Sequence, residues 1–411
     1  MALINPFRGL RPAPGRAKDV LAPPYDVLNS AEARERAKGK PSSFLHISKP
    51  EIDLPEGTDP YSDSVYAKAA ENLKMIIDEG ALIRDDKPCY YAYRLIREGR
   101  SQLGIIAGAS VPDYDTNRIR KHEYTKPVKE DDRVAQIRAT SAQTGPVMLA
   151  YPSAPEIDAL LESASSGTPD VDETTDDGVQ HTMWLIDDQA TIDKITAAFD
   201  ALPALYIADG HHRSASASRI AAERRDANTE ENPSFENFLT VTFPHHQMHI
   251  MDYNRVVKDL NSLDKKQFLK GIKIKFQVQM ADAQARPIQP GEFGMYMDGE
   301  WRLLTLNPRF IDMDDPIKRL DASLLGEHLL APVLGIKDIR RDERIDFVGG
   351  IRGLDELERR VDSGEMAVAF ALFPVAFEDL MAVAEAGEVM PPKSTWFEPK
   401  LADGMVSLIL D

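Results

Sequence analysis

The run Tyr206-Ile-Ala-Asp-Gly-His-His-Arg213 constrains this chain more than any other part of it. Ala204 to Asp209 is a short apolar stretch of strand character, Gly210 interrupts it, and Ser214 to Arg225 is alanine- and arginine-rich with high helix propensity. Strand, glycine turn and helix therefore meet at Asp209 to Arg213, and the fold expected is mixed α/β. Such a junction leaves backbone N–H groups unpaired at the positive end of a helix dipole, which is an anion site in waiting. Gly210 lets the backbone approach a phosphate, and the planar fork of Arg213 can hold two phosphate oxygens. His211 or His212 can donate to a third oxygen or exchange a proton near neutral pH. Asp209 can orient a histidine or hold a magnesium ion. The plainer alternative is a turn that only caps a helix, but four polar functional residues in five positions after an apolar strand favour the functional reading.

Charge narrows what could bind there. With 49 Lys+Arg against 67 Asp+Glu in 411 residues, the formal charge is 49 − 67 = −18. A surface this negative repels phosphate backbones and anionic lipid, so nucleic acid and membrane are not expected as partners, and a small soluble substrate is. The hydrophobic share of 43% is that of a globular fold, and the length suggests two domains. The texture changes near residue 255, dividing the chain into 1–255, which carries the phosphate-binding turn, and 256–411, a smaller α/β region. Cys89 is the lone cysteine, the amino terminus has no apolar segment, and no uncharged run approaches the roughly 18 residues of a membrane span, so a cytoplasmic location is expected.

Local patterns predict helices over Ser30 to Lys38 and Ser62 to Glu79, and strands over Cys89 to Leu95 and Gln102 to Ala109 joined at Glu98-Gly99. A buried strand is predicted over Gly145 to Tyr151, and Ser163 to Gly178 has the composition of an exposed loop. Further on, Val256 to Lys270 reads as helical, Met295 to Leu306 as a hairpin around Asp298-Gly299, and Ile345 to Phe373 as strand, turn, helix and strand.

Three further strings carry polar chemistry. His122-Glu123-Tyr124-Thr125, within the charged window Arg118 to Arg133, mixes groups capable of acid/base work, although a charge run is commonly a solvated face. Pro23-Pro24 stiffens the approach to Tyr25 and Asp26, which suits either substrate contact or a structural corner. Lys393-Ser394-Thr395 follows two prolines and could meet a phosphate. A metal hydrolase built on His211, His212, His245, His246 and His249 is a lesser reading, since adjacent histidines are poorly placed to share one ion.

Five strings together resemble a bacterial and archaeal family known as domain of unknown function family 1015. They are Asn5-Pro-Phe-Arg-Gly-Leu-Arg-Pro12, Leu21-Ala-Pro-Pro-Tyr-Asp-Val-Leu28, His122-Glu-Tyr-Thr125 with Glu130-Asp-Asp-Arg133, Asp209-Gly-His-His-Arg213, and Met390-Pro-Pro-Lys-Ser-Thr-Trp-Phe-Glu-Pro-Lys400. The Asp209–Arg213 turn also resembles the phosphate-binding box of the ParB/sulfiredoxin superfamily, some of whose members are free-serine kinases and others CTP-dependent DNA-partition switches. Asn5-Pro6-Phe7-Arg8 is similar to that superfamily's first box. About 200 residues separate the two boxes here. The resemblance therefore implies a ParB/sulfiredoxin-like core with large insertions, plus a C-terminal α/β region contributing a loop to the site.

What the resemblance implies is a nucleotide-dependent phosphotransferase that interconverts serine and phosphoserine, with ATP or ADP and Mg²⁺ as cofactors. Asp209, Gly210, His211, His212, Arg213, Lys393 and Ser394 would bind phosphate or nucleotide, with Asp209 also the metal ligand. Glu123, His122, Asp26 and His212 would supply acid/base chemistry. The alternative is a nucleotide-binding regulatory protein of the CTP/ATP switch type without small-molecule turnover. DNA partition itself is disfavoured by the charge and by the lack of an evident helix-turn-helix.

Overall fold

The computed structural model describes residues 2–226 and 233–411. The protein is mixed α/β with several sheets and forms two compact units, Met1–Met248 with Pro399–Asp411, and His249–Glu398.

The first unit is built on a nine-stranded mixed sheet. Its order is Ile119–Arg120, Leu205–Asp209, Val147–Tyr151, Asn237–Pro244, Arg100–Ser110, Tyr90–Arg97, Gln180–Ile186 and Val171–Thr174, with Ile4–Asn5 paired beside Arg100–Ser110. Leu205–Asp209 runs parallel to Ile119–Arg120 and antiparallel to Val147–Tyr151. The central strands are almost wholly buried, which is why they read as continuous apolar runs rather than alternating ones. Gly104 is required by packing: a Cβ there would sit 2.4 Å from the Thr242 carbonyl oxygen. Glu98 and Gly99 both take positive φ, the turn that matches strand twist in a tight hairpin.

A second sheet ties the chain ends together. Gly9–Pro12 pairs with Leu82–Arg84 on one side and Ser407–Ile409 on the other, and Ser407–Ile409 pairs in turn with Ala142–Gln143. Just before this, Ala22 and Asp403 exchange two backbone hydrogen bonds, of 3.2 and 2.9 Å. The last residues are thus fixed against the proline-rich opening segment, with consequences for the site.

Helices cover Ser30–Ala37, closed by a capping box between Asn29 and Glu32, and Asp63–Asp78. The helix Pro127–Thr140 packs on His211–Arg225 through the fully buried Ser216, whose hydroxyl donates to the Glu130 carbonyl at 3.1 Å.

The second unit has a six-stranded antiparallel sheet in the order Phe276–Ala281, Glu300–Leu306, Glu292–Met297, Val368–Leu372, Tyr253–Val257 and Ile345–Gly349. Phe268, Ile272, Leu325 and Leu329 pack against one face, and Leu354, Leu357 and Val361 belong to a separate cluster with Val256 and Ala369. The hairpin turns at Asp298-Gly299, both at positive φ. Two local expectations are corrected. Ser163 to Gly178 is not all loop, because Val171–Thr174 adds an edge strand to Gln180–Ile186. Val256 to Lys270 is not one helix: the β-branched Val256 and Val257 complete a buried strand, and a helix begins only at Lys265, where Asp264 and Gln267 form a capping box.

Candidate functional site

The strand Leu205–Asp209 ends at the turn that sequence singled out, and the helix His211–Arg225 starts one residue later. Gly210 lies at φ +103°, a conformation L side chains rarely adopt, and a Cβ there would also come within 3.2 Å of the Val147 backbone. No side chain caps the helix. Arg213 and Ser214 donate back to the Gly210 carbonyl, so the first turn is closed, while the opening N–H groups have no acceptor within the helix.

Charge is arranged tightly around Asp209. Lys400 Nζ donates to Asp209 Oδ2 at 3.1 Å, and Arg213 Nη2 lies 3.8 Å from Oδ1. Burial pushes the Asp209 carboxyl upward, but Lys400 and Arg213 outweigh it and hold the group well below the usual carboxylate range. Arg213 Nη1 donates to the Pro146 carbonyl through a short contact, so part of its fork is already used. A carboxylate held by two cations does not fit the role of magnesium ligand expected of Asp209. Among the described residues no group of three or more His, Cys, Asp or Glu side chains is placed to hold a metal ion.

The histidines differ in a way that matters chemically. His211 is buried and packs edge-on against His122, with ring centroids 4.4 Å apart. The His122 backbone N–H donates to His211 Nε2 at 3.3 Å. An accepting Nε2 leaves the His211 proton on Nδ1, which faces Glu123 Oε2 at 3.8 Å. Burial, and then the neighbouring His122, hold His211 well below its ordinary range. Burial likewise lowers His122 to about 4, and His122 Nδ1 has no hydrogen-bond partner. His212 is half-buried and is also lowered by burial; its Nε2 accepts from the Lys126 N–H at 3.0 Å. Desolvation therefore keeps these histidines neutral at pH 7.

Other candidates take separate positions. Glu123 is exposed. Asp26 is exposed in the turn Tyr25–Val27 and lies within electrostatic reach of Arg213. Lys121 Nζ sits 3.9 Å from the Tyr114 ring centroid, and Arg120 stacks over Tyr206 at 5.8 Å. Lys393 and Ser394 belong to the second unit, where Lys393 Nζ lies 5.6 Å from the Tyr253 ring and the Ser394 hydroxyl donates to the Pro391 carbonyl at 2.7 Å. His245 and His246 lie in the first unit, edge-on to each other, and His249 in the second.

Three residues that sequence reasoning gave no role stand around the turn. Lys400 is bonded to Asp209 across 191 residues. Arg133 stacks over the Tyr25 ring at 4.0 Å and pairs with Asp132, which also accepts from the Tyr66 hydroxyl. Asp403 is 1% exposed, and burial pushes its carboxyl up to about 7 against the opposing pull of Arg213. Arg133 and Lys400 each end a string that resembled the family, which was the available signal; Asp403 had only its Asp-Gly dipeptide.

The family described as "Protein of unknown function (DUF1015)" matches over residues 4–323. No curated protein sequence matches the chain. Among solved structures, the chain is similar to SbnI with C-terminal truncation from Staphylococcus aureus, at 12% identity, covering 74% of this chain and 87% of that one, with a TM-score of 0.38. It is similar to a free serine kinase in complex with AMP, at 11% identity over 72% and 86% of the two chains, with a TM-score of 0.34. A conserved hypothetical protein from Pyrococcus furiosus gives 13% identity over 73% and 93%, with a TM-score of 0.33. No helix among the described residues is long and apolar enough to cross a membrane.

Proposed function

The chain belongs to the DUF1015 family, and we propose that it is a nucleotide-dependent phosphotransferase acting on a small hydroxy amino acid, interconverting serine and phosphoserine. The observation that carries this reading is the uncapped amino terminus of the helix His211–Arg225, entered through Gly210 at φ +103° and flanked by Arg213 and Lys400. Phosphoryl transfer asks for charge neutralisation and positioning more than for covalent chemistry. Backbone N–H groups, one guanidinium and one ammonium supply both.

In this reading phosphate oxygens meet the opening N–H groups of the helix and the unused donors of Arg213. Lys400, held on Asp209, adds its positive charge beside the same anion. Neutral His211 keeps the floor of the site dry without repelling Lys400, and its Nδ1 proton faces Glu123. Glu123 or Asp26, both exposed carboxylates, takes the hydroxyl proton of the acceptor.

The test is direct. Purified protein is given L-serine with ATP or ADP, or O-phospho-L-serine with ADP or AMP, and the products are resolved by chromatography. Turnover that Arg213→Ala abolishes supports the reading. Nucleotide binding without turnover of either pair replaces it with the regulatory alternative.

A further inference from the structure

Residues 122–126 are pinned at both ends to the first turn of the helix His211–Arg225. The His122 N–H donates to His211 Nε2 at 3.3 Å, and the Lys126 N–H donates to His212 Nε2 at 3.0 Å. Between these anchors the chain loops out into solvent, with Glu123 and Tyr124 both exposed. Tyr124 stands midway, so its ring is held at the helix start without being drawn into the core. At the foot of the loop His122 Nδ1 is buried and makes no hydrogen bond, a polar requirement that the chain itself leaves open.

Among the described residues of the first unit, Tyr124 is the most exposed large apolar side chain, at 73%. Val128, four residues on in the first turn of the helix Pro127–Thr140, follows at 63%. Of the twelve tyrosines, every one but Tyr124 has a hydrogen-bond partner, a neighbouring ring or a cation over its face. Tyr124 has none of these among the described residues. The outermost position of a loop commonly falls to glycine, asparagine, aspartate or serine, which suit tight backbone and water. A partnerless aromatic ring at that position contributes nothing to the core, yet the backbone around it is fixed on both sides.

A ligand whose phosphates meet the opening N–H groups of the helix must lay its remainder over the same mouth, beside this loop. A nucleotide brings there a flat base, whose face stacks on an aromatic ring. We propose that Tyr124 is the platform on which the base of the bound nucleotide stacks, the turn taking the phosphates and the loop taking the nucleoside. The inference rests on the reading of the Asp209–Arg213 turn as a nucleotide-phosphate site and adds what holds the other half of that ligand. Every base has a π-face, so Tyr124 supplies preference for nucleotides over bare phosphates rather than a choice among bases.

Isothermal titration of the full chain with ADP, and separately with inorganic pyrophosphate, tests this without requiring turnover. Pyrophosphate carries the phosphates without a base. Tyr124→Ala is expected to weaken ADP about tenfold or more and to leave pyrophosphate within about twofold of the native affinity. Tyr124→Phe keeps the ring and is expected to bind both ligands within about twofold of the native protein. Both variants should melt with the native protein, since the side chain has no hydrogen bond or ring contact to lose; a lowered Tm in Tyr124→Ala would show a packing role and overturn the platform. Native ADP affinity in Tyr124→Ala overturns it and leaves the phosphate site standing. So does a loss shared equally by ADP and pyrophosphate, or a loss in Tyr124→Phe as large as in Tyr124→Ala. Should pyrophosphate bind too weakly to measure, the contrast between the two variants toward ADP carries the decision. A native chain that binds no ADP overturns the platform and the nucleotide reading together.

Discussion

Replacing Lys400 by methionine removes one charge and keeps most of the aliphatic stem, so it isolates the contact with Asp209. In the native protein Lys400 Nζ lies 3.1 Å from Asp209 Oδ2, with the two side chains 20% and 31% exposed. Without Lys400 the aspartate keeps only Arg213, at 3.8 Å. A charge-assisted hydrogen bond contributes about 1.5–3 kcal/mol net, and breaking a fully buried pair costs about 3–5 kcal/mol. Because nearly a third of Asp209 still meets water, screening favours the lower range, and a loss of about 2 kcal/mol is expected. That corresponds to about 4–8 °C in Tm for a domain of 150–250 residues. The pH dependence follows from the depressed Asp209 carboxyl. Its stabilisation is complete above the unfolded carboxylate range near pH 4 and is lost as pH falls toward the folded value. The Lys400→Met deficit is therefore constant from pH 5 to 8 and shrinks below about pH 4. Urea unfolding of Lys400→Met, Asp209→Asn and the double variant, at pH 7.5 and pH 3.5, should give a coupling of about 1.5–2 kcal/mol at the higher pH. A coupling below about 0.5 kcal/mol, or a deficit that ignores pH, would refute the assignment of Lys400 as the counterion of Asp209.

Further outcomes are expected at three other positions. Gly210→Ala should cost about 1–3 kcal/mol and abolish any nucleotide-induced rise in Tm, because φ +103° and the Val147 backbone both resist a Cβ; an unchanged melting curve would contradict the geometry. Asp403, raised to about 7 by burial, binds its proton more tightly folded than unfolded, so it erodes stability as pH rises from about 4 through 7. Asp403→Asn should thus raise Tm more at pH 8 than at pH 5, and a difference independent of pH would count against an ionising Asp403. His122 and His211 are depressed by burial, so stability is present above the unfolded value near 6.5 and is lost as pH falls through the folded values. Imidazole ¹⁵N spectra should show neither ring titrating between pH 5.5 and 8 and should place the His211 proton on Nδ1; a midpoint near 6.5 for either would exclude the buried pair.

The turn at Asp209 to Arg213 was legible because its determinants are local. An apolar strand, one glycine and an alanine-rich helix lie within some twenty residues, and none needs a distant partner to be recognised. The same holds for the hairpins at Glu98-Gly99 and Asp298-Gly299, whose turn chemistry is written in two residues. What could not be read depends on pairing far along the chain. Lys400 and Asp403 reach the turn because Asp403 bridges Ala22 and Ser407–Ile409 joins Gly9–Pro12, contacts that no local periodicity encodes. Burial was equally invisible. As free side chains His211 and His212 have pKa values close to neutral, yet packing against His122 and the covering segment at Lys126 removes their charge.

These long-range contacts change what the turn can do. A helix terminus with Arg213 and Lys400 beside it would attract any anion, and in the absence of one that concentration of positive charge would be unstable. Asp209 resolves this by standing as a resident anion between the two cations. On the proposed reading, a phosphate at the turn would not meet bare charge and would compete with Asp209 for Lys400 and Arg213. On that reading, an anion with several oxygens, able to meet the helix N–H groups and both cations at once, would displace Asp209 where chloride, with a single contact point, would not.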